Sequence, residues 1–251
     1  FEGVRDGGRL IAAAENALKV RKPLLIYKLA NAEIGQRSAM SHTGTMAGSY
    51  AAYEAAFKKT GVVIIENWEE GLEAAVFFAK SFVPRTNGVG VMASSGGAAI
   101  MAADKAEEYG LNLPVPEHAT SQKLASVVPN FGSTANPCDL TAESLKSVQM
   151  YGDCIKAFVE DENFSAVVVP MMSAHSPATV DRAKYLVELS EMLKKPICIV
   201  WINEWLEGPG SEIYDSASKI SVFRSMGRCI KTLKKWVGYH QNRQNLLSEL
   251  E

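Results

Sequence analysis

The feature that most constrains the fold of this chain is a series of short apolar runs that alternate with segments of helical periodicity. Ala166 to Met172 and Ile197 to Trp201 are two such runs, rich in valine and isoleucine, and Pro177 to Leu193 between them has helical spacing. Strands buried on both faces read as continuous apolar runs, and parallel neighbours need a crossover helix. The pattern therefore predicts an α/β protein with parallel sheets covered by helices on both faces.

The remaining segments extend this pattern along the chain. Further strands are predicted at Leu24 to Leu29, Val62 to Ile65, Val89 to Ala93, Leu111 to Val115 and Ile220 to Phe223. Further helices are predicted at Arg9 to Val20, Tyr50 to Thr60, Trp68 to Lys80, Gly96 to Tyr109, His118 to Val127, Glu143 to Val159 and Ser225 to His240. A linker at 81–88 divides the series into two modules. Since the first module offers about two strands, fewer than a sheet usually has, we expect its N-terminal half to lie outside this chain.

Composition narrows the class of protein. The chain has 26 basic and 28 acidic residues, and the resulting formal net charge of −2 predicts no nucleic-acid or membrane partner. No apolar run approaches the roughly 20 residues of a membrane helix, and the first residues do not form a signal peptide. The cysteines have no metal-ligand spacing, which favours a reducing compartment over a disulfide scaffold; they are Cys138, Cys154, Cys198 and Cys229. We therefore expect a cytoplasmic protein without a metal site.

One segment carries a candidate nucleophile. Asn31 to Ser49 lacks clear periodicity and predicts a long loop, and such loops in compact domains are usually functional. Within it, the neutral imidazole of His42 is a competent nucleophile near pH 7. Ser41 and Thr43 can donate hydrogen bonds to phosphate oxygens, and Gly44 lets the backbone approach an anion. From composition alone, a histidine that hydrogen-bonds locally is the more frequent case.

A strand-to-helix turn is a second candidate. Ser94, Ser95, Gly96 and Gly97 join a predicted strand to a predicted helix, whose N-terminus concentrates unpaired N–H groups and about half a positive charge. Such a turn is a natural phosphate site. It also resembles a hydrolase nucleophile elbow centred on Ser95, although the order of the available acid and histidine downstream is the reverse of the usual one.

Five motifs occur along the first module: Lys22-Pro23 before the first strand, Glu33-Ile34-Gly35, Ser41-His42-Thr43-Gly44 with Ala47-Gly48, Tyr53-Glu54-Ala55-Ala56-Phe57 and Gly61-Val62. Together they resemble the NDP-forming acyl-CoA synthetase family, which includes ADP-forming acetyl-CoA synthetase and succinyl-CoA synthetase. The resemblance implies two flavodoxin-like, succinyl-CoA synthetase-like modules. On this basis 1–83 is the C-terminal part of a first CoA-ligase domain, 84–240 a second, and 241–251 a polar tail.

The resemblance also implies roles for individual residues. The histidine of this family is transiently phosphorylated, which corresponds to His42, and a glutamate that orients it corresponds to Glu2; an exposed carboxylate at a frayed terminus is an equally good interpretation of Glu2. The Ser94 to Gly97 turn is similar to the second-module phosphate clamp. Asn136 and Asp139 match the family's Asn-Pro-x-Asp-Leu segment, for which substrate binding and a structural turn both stay open. His175 follows a strand, where open sheets place ligands, and is either a substrate contact or part of a helix cap.

The resemblance implies an enzyme that joins an acid and CoA at the expense of a nucleoside triphosphate, releasing nucleoside diphosphate and phosphate. CoA and Mg-ATP or Mg-GTP would be bound mainly by a CoA-binding Rossmann domain and an ATP-grasp domain, for which this chain shows no motif. We therefore expect a phosphoryl carrier that is inactive alone, oligomeric, and dependent on those partners and a small carboxylic acid. A non-catalytic flavodoxin-like module and a Ser95 hydrolase are the alternatives.

Overall fold

The structure, a computed structural model, describes residues 1–43, 48–193 and 195–248, and of His42 and Thr43 it describes only the backbone. Contacts divide the chain into two compact units. Unit 1 comprises Phe1–Ala75 and Lys235–Glu251, and unit 2 comprises Val76–Lys234. The division falls within two helices, α4 (Trp68–Lys80) and α10 (Met226–Ser248), each of which contributes residues to both units.

Unit 1 contains a two-stranded parallel sheet of β1 (Leu25–Tyr27) and β2 (Val63–Ile65), with Ile26 opposite Ile64. Its other helices are α1 (Gly7–Lys19), α2 (Glu33–Thr43) and α3 (Tyr50–Thr60). α3 ends at Gly61, whose φ of +68° is a left-handed conformation that glycine adopts at little cost. One cluster of buried apolar side chains in this unit is formed by Ala14, Ile26, Phe57 and Val62.

The prediction of a loop from Asn31 to Ser49 is wrong for most of that interval, because α2 occupies Glu33–Thr43. Between Glu33 and Ser41 only Ala39 is buried, so no apolar periodicity was present to reveal the helix. Good helix formers such as Gln36, Arg37 and Met40 supply the local preference instead.

Unit 2 is built on a five-stranded parallel sheet in the order β4-β3-β5-β6-β7. Its strands are β3 (Val89–Ala93), β4 (Cys138–Asp139), β5 (Ala166–Met171), β6 (Ile197–Trp201) and β7 (Ile220–Phe223). Its helices, besides the ends of α4 and α10, are α5 (Gly96–Tyr109), α6 (His118–Ala125), a 3₁₀ turn (Ala142–Lys146), α7 (Val148–Glu160), α8 (Ala178–Met192) and α9 (Ser211–Ser216). This is the flavodoxin-like strand order, in which the chain reverses direction between its first and third strands, here β3 and β5.

Burial explains why this sheet was readable from the sequence. Every residue of β3, β5 and β6 is buried, so the strands read as unbroken apolar runs. Gly90 within β3 has to be glycine, because a Cβ there would lie 2.8 Å from the Phe164 ring and 2.9 Å from the Phe158 ring. The fold class predicted from the sequence is therefore confirmed, with two parallel sheets.

Three element predictions need correction, and two elements were missed. The predicted strand from Leu111 to Val115 makes one isolated bridge, between Gly88 and Asn112. The predicted helix from Glu143 is divided at Ser147, whose hydroxyl accepts a hydrogen bond from Met150 N at 3.1 Å and caps α7. α10 continues to Ser248, beyond the predicted helix end at His240. β4 and α9 were not predicted because two and six residues are too few for a periodic signal.

Candidate functional site

Glu2 lies at the carboxyl end of β1. The Phe1 backbone nitrogen donates a hydrogen bond to Tyr27 O at 3.0 Å, and Phe1 O accepts one from Leu29 N at 2.9 Å. This is the pairing of a parallel strand, with Phe1 opposite Lys28. Glu2 follows directly and lines a cleft with Leu29, Ala30 and three residues of α2, which are Gly35, Ser38 and Ala39. The structure thus brings the predicted orienting carboxylate beside the helix that leads to His42.

The predicted phosphoryl-carrying residues are at the end of that helix. Ser41, His42 and Thr43 are the last residues of α2. The Ser41 hydroxyl is exposed and donates to Arg37 O at 3.4 Å, a bond within the helix that a phosphate oxygen can replace. The side chains of His42 and Thr43, and Gly44 entirely, lie outside the described residues. Their predicted roles therefore stay predictions.

The connection between β1 and α2 is strained at one residue. Ala30 has a φ of +59°, in the left-handed region that costs a non-glycine residue about 1–2 kcal/mol. A Cβ at Gly35 would lie 3.3 Å from Ala30 Cα, so α2 passes close to this bend. Strain of this kind persists where the surrounding structure imposes it, and it is concentrated at functional sites.

Sequence analysis overlooked Lys28, which it included in an apolar strand. This lysine is 1% exposed, donates a hydrogen bond to Leu29 O at 2.5 Å, and has Nζ 5.0 Å from the Tyr53 ring centroid. Burial lowers the pKa of Lys28, and the nearby Glu2 carboxylate opposes that shift. The available signal was a charged residue within an otherwise apolar run, since lysine is almost never fully buried unless it is paired.

In unit 2, the Ser94 to Gly97 turn connects β3 to α5 at the carboxyl edge of the sheet. Because the strand order reverses between β3 and β5, the loops after these two strands flank the position where open α/β sheets bind ligands. His175, exposed in the loop after β5, therefore lies on the other side of the same switch point. The topology places these two predicted sites at one edge of the unit 2 sheet.

Asp139 lies against the N-terminus of α5. Its Oδ2 is 3.0 Å from the position that a Cβ at Gly96 would take, and its Oδ1 accepts a hydrogen bond from Thr141 N at 2.9 Å. A carboxylate is favoured at a helix N-terminus, and the turn bond holds it there. These contacts give Asp139 a structural role. A phosphate at Gly96 and Gly97 would share the helix N-terminus with this negative charge.

The Asn136 side chain has a structural role. Its amide nitrogen donates to Val89 O at 2.8 Å and to Pro114 O at 2.9 Å, and its amide oxygen accepts from Val91 N at 2.9 Å. The side chain thus satisfies backbone groups of β3 beside β4. Both amide protons and the oxygen are engaged, so the contacts support the structural alternative over substrate binding.

The backbone at His175 and Ser95 also bears on the predictions. His175 N donates to Thr179 Oγ1 at 2.8 Å and its carbonyl accepts from Thr179 N at 2.8 Å, which closes the turn into α8. The His175 imidazole is left exposed.

Ser95 has φ −153° and ψ 126°, ordinary extended values rather than the strained backbone of a nucleophile elbow. The geometry therefore gives the hydrolase interpretation no support.

Two further findings concern the described part of the chain. None of its helices combines the length and the apolar character that crossing a membrane requires. Among the same residues, no three histidine, cysteine, aspartate or glutamate side chains are grouped so as to hold a metal ion.

Comparison with known proteins identifies the family. Residues 1–78 match the succinyl-CoA ligase like flavodoxin domain. Over 181 residues, 70% of this chain, the sequence is 34% identical to the ADP-forming acetate–CoA ligase II subunit alpha of Pyrococcus furiosus. Over 238 residues, 93% of this chain, it is 26% identical to a trans-feruloyl-CoA synthase from an unknown prokaryotic organism. These similarities confirm the resemblance to the NDP-forming acyl-CoA synthetase family that the motifs predicted.

A solved structure confirms the fold over the whole chain. The dinucleotide forming acetyl-coenzyme A synthetase 1 of Ca. Korarchaeum cryptofilum, in complex with phosphate and ADP, matches all of this chain with a TM-score of 0.83 and 24% identity. The chain spans 54% of that structure's chain, 39% of the Pyrococcus subunit and 34% of the feruloyl-CoA synthase.

Proposed function

We propose that this chain is the phosphohistidine-carrying portion of an NDP-forming acyl-CoA synthetase. The observation that carries the proposal is the position of Glu2, which lies in a cleft against α2, the helix that ends at Ser41, His42 and Thr43. A carboxylate that orients an imidazole fixes its tautomer and raises the basicity of the other ring nitrogen. That nitrogen is then able to accept a phosphoryl group reversibly.

The chemistry of the complete enzyme follows from the family. An acyl-CoA reacts with phosphate to give an acyl phosphate and CoA, and the His42 imidazole displaces the acid from the acyl phosphate to form phosphohistidine. The phosphoryl group then passes to a nucleoside diphosphate, and the reverse sequence makes acyl-CoA. CoA and Mg-ATP or Mg-GTP are assigned to a Rossmann domain and an ATP-grasp domain, as parts of the same polypeptide or as partner subunits.

We place the phosphate contacts at the two predicted segments. In unit 1 these are Ser41, Thr43 and Gly44 beside His42. In unit 2 they are Ser94, Ser95, Gly96 and Gly97 at the N-terminus of α5, which offers backbone N–H groups and a positive dipole end. The Asp139 carboxylate at the same helix end disfavours a permanently bound anion, which suits a group that must leave again.

The test is phosphoryl labelling. Incubation of the chain with an ATP-grasp partner of the family and nucleoside triphosphate labelled at the γ-phosphate is expected to give an acid-labile, alkali-stable phosphoprotein. His42→Ala should abolish the label, whereas His118→Ala, at an exposed histidine in the first turn of α6, should leave it unchanged. Undiminished labelling of His42→Ala would refute the proposal. Absence of labelling in both the wild type and the variant would favour a non-catalytic binding module.

A further inference from the structure

Unit 2 contains a buried arginine to which the described residues supply no counter-charge. Arg182, in the second turn of α8, is 4% exposed. Its Nε donates a hydrogen bond to Ala178 O at 3.2 Å, and its terminal nitrogens make no hydrogen bond or ion pair with a described residue. A guanidinium group is not deprotonated in proteins, so this charge persists. A buried charge without an opposite charge is among the costliest arrangements in a protein interior.

Two tyrosine hydroxyls of the same unit also lack a partner. Tyr151, in the first turn of α7, is 2% exposed, and Tyr214, in α9, is fully buried. Neither hydroxyl makes a hydrogen bond with any residue that the structure describes. Because buried polar atoms are nearly always hydrogen-bonded, each of these groups calls for a partner from outside the described chain.

Contacts bring the three side chains together near the carboxyl end of β6. The Arg182 guanidinium carbon lies over the Tyr151 ring, 5.3 Å from its centroid. The Tyr214 ring is 6.4 Å from the ring of Trp201, the last residue of β6. Both tyrosines, this tryptophan and Ala183, the neighbour of the arginine, belong to one buried cluster. The unpaired donors thus face a common interior region between α7, α8 and α9.

Close helix packing fixes these donors in place. The residue after Tyr151 is Gly152, where a Cβ would lie 2.9 Å from Tyr185 Cζ, and the Tyr185 hydroxyl donates to Gly152 O at 3.2 Å. Gly210, which precedes α9, has a φ of +91°, and a Cβ there would lie 3.0 Å from Thr179 O. Both α7 and α9 are therefore held closely against α8, the helix that carries the arginine. A ligand would meet donors that are already in position.

The charges and donors of these groups define the class of ligand. Burial raises the pKa of both tyrosines, and the Arg182 charge opposes that rise. The phenols therefore stay protonated near neutral pH and donate hydrogen bonds without supplying negative charge. One guanidinium group and two hydroxyls fit a ligand with one negative charge and two acceptor oxygens, which is a carboxylate. A phosphate would bring more negative charge than one guanidinium group neutralises.

We propose that Arg182, Tyr151 and Tyr214 form a buried binding site for a small monocarboxylate. The guanidinium group pairs with the carboxylate oxygens, and each hydroxyl donates a hydrogen bond to them. Four acidic side chains of α7, α8 and α9 bond to other side chains and do not supply this charge; they are Asp153, Glu160, Glu191 and Asp215. None of the three proposed ligand-binding residues belongs to either phosphate segment, so the site is additional to the proposed relay.

The test measures acetate binding to the whole chain. Tyrosine labelled with ¹³C at Cζ is followed by NMR as sodium acetate replaces sodium chloride at constant ionic strength, and Tyr151→Phe and Tyr214→Phe assign the two resonances. Both resonances should shift saturably with the same apparent Kd. Arg182→Met should weaken acetate binding about tenfold or more, because the charged partner is lost. Arg85→Met, at an exposed arginine of the same unit, is the matched control and should leave the Kd unchanged.

Two results of this titration would overturn the proposal. One is the absence of a saturable shift in the wild-type chain, and the other is an equal acetate affinity in wild type and Arg182→Met. Inorganic phosphate is the discriminating probe. A saturable response of the same two tyrosines to phosphate but not to acetate would overturn the assignment to a carboxylate.

Tyr214→Phe keeps the shape of the side chain and provides the test if Arg182→Met does not fold. In chloride, removal of an unpaired buried hydroxyl should leave the midpoint of urea unfolding unchanged or raise it. Acetate should raise the midpoint of wild type more than that of the variant, because a bound ligand stabilises the folded chain. An equal loss of stability in both salts would show that the hydroxyl has a partner within the protein, contrary to the proposal.

The outcome is separable from that of the proposed function. Phosphoryl labelling of His42 requires none of the three side chains, and phosphate bound at the Ser94 to Gly97 turn should respond equally in wild type and Arg182→Met. Absence of acetate binding therefore overturns the carboxylate site alone, and absence of labelling overturns the relay alone.

Discussion

At the scale of single residues, the same side-chain type serves different ends according to its contacts. Asn136 and Asp139 were candidates for substrate binding, but their polar atoms bond to the backbone of β3 and of the turn after β4. Lys28 was not a candidate, yet it is a buried charge at the carboxyl end of β1. Residue type and spacing predict what a side chain is able to do. Which of its polar atoms remain available is decided by the neighbours that the fold supplies.

Asn136→Ala is therefore expected to affect stability. It removes three hydrogen bonds and leaves Val91 N, Val89 O and Pro114 O without this partner, which should cost about 2–3 kcal/mol of unfolding free energy. Urea denaturation followed by circular dichroism measures the loss. Asn130→Ala, at an exposed asparagine in a turn, is the matched control and should shift the midpoint little. An unchanged midpoint for Asn136→Ala would contradict the structural role.

At the scale of elements, a buried charged side chain on one helix is paired with an opposite charge on another helix. Glu70 of α4 is fully buried, accepts a hydrogen bond from Glu66 N at 3.0 Å and forms an ion pair with Lys235 of α10, both within unit 1. The pair joins two helices that are far apart in the chain. Burial of both charges is costly, so their mutual pairing matters most when one partner is removed.

Glu70→Gln tests this ion pair. The amide keeps the shape of the side chain but leaves Lys235, whose side chain is 19% exposed, without its buried counter-charge. We expect a loss of about 1–3 kcal/mol, below the value for a fully buried pair because water still reaches the ammonium group. Chemical denaturation provides the measurement, and Glu69→Gln, an exposed neighbour on α4, provides the control. Equal stabilities of the two variants would show that the pair contributes nothing.

At the scale of the whole molecule, the chain consists of two units, one with a two-stranded sheet and one with a five-stranded sheet. The relatives it matches are longer than this chain. The two candidate phosphate segments are in different units, Ser41 to Gly44 in unit 1 and Ser94 to Gly97 in unit 2. The binding of CoA and nucleotide is proposed to belong to other modules. The proposed function therefore assigns the chain a part of the reaction and not the whole of it.

The purified chain alone is accordingly expected to form no acyl-CoA from acetate, CoA and Mg-ATP, because the groups that bind and activate those substrates are assigned to other modules. Thioester formation, followed by chromatography, checks this outcome, and a full-length ADP-forming acetate–CoA ligase assayed in parallel is the positive control. His42-dependent turnover by the isolated chain would show that the chain is catalytically complete, contrary to our proposal.

The sequence by itself determined the α/β class, most strand and helix bounds, and the family. Strands such as β5 and β6 are buried on both faces, so their apolar runs are visible without any partner. The sequence could not reveal α2, because an exposed helix has no apolar stripe. Only the tertiary structure placed Phe1 beside the end of β1 and engaged the Asn136 side chain with β3, because both depend on contacts between segments that are distant along the chain. Local patterns record burial, whereas a pairing between distant residues exists only once the chain has folded.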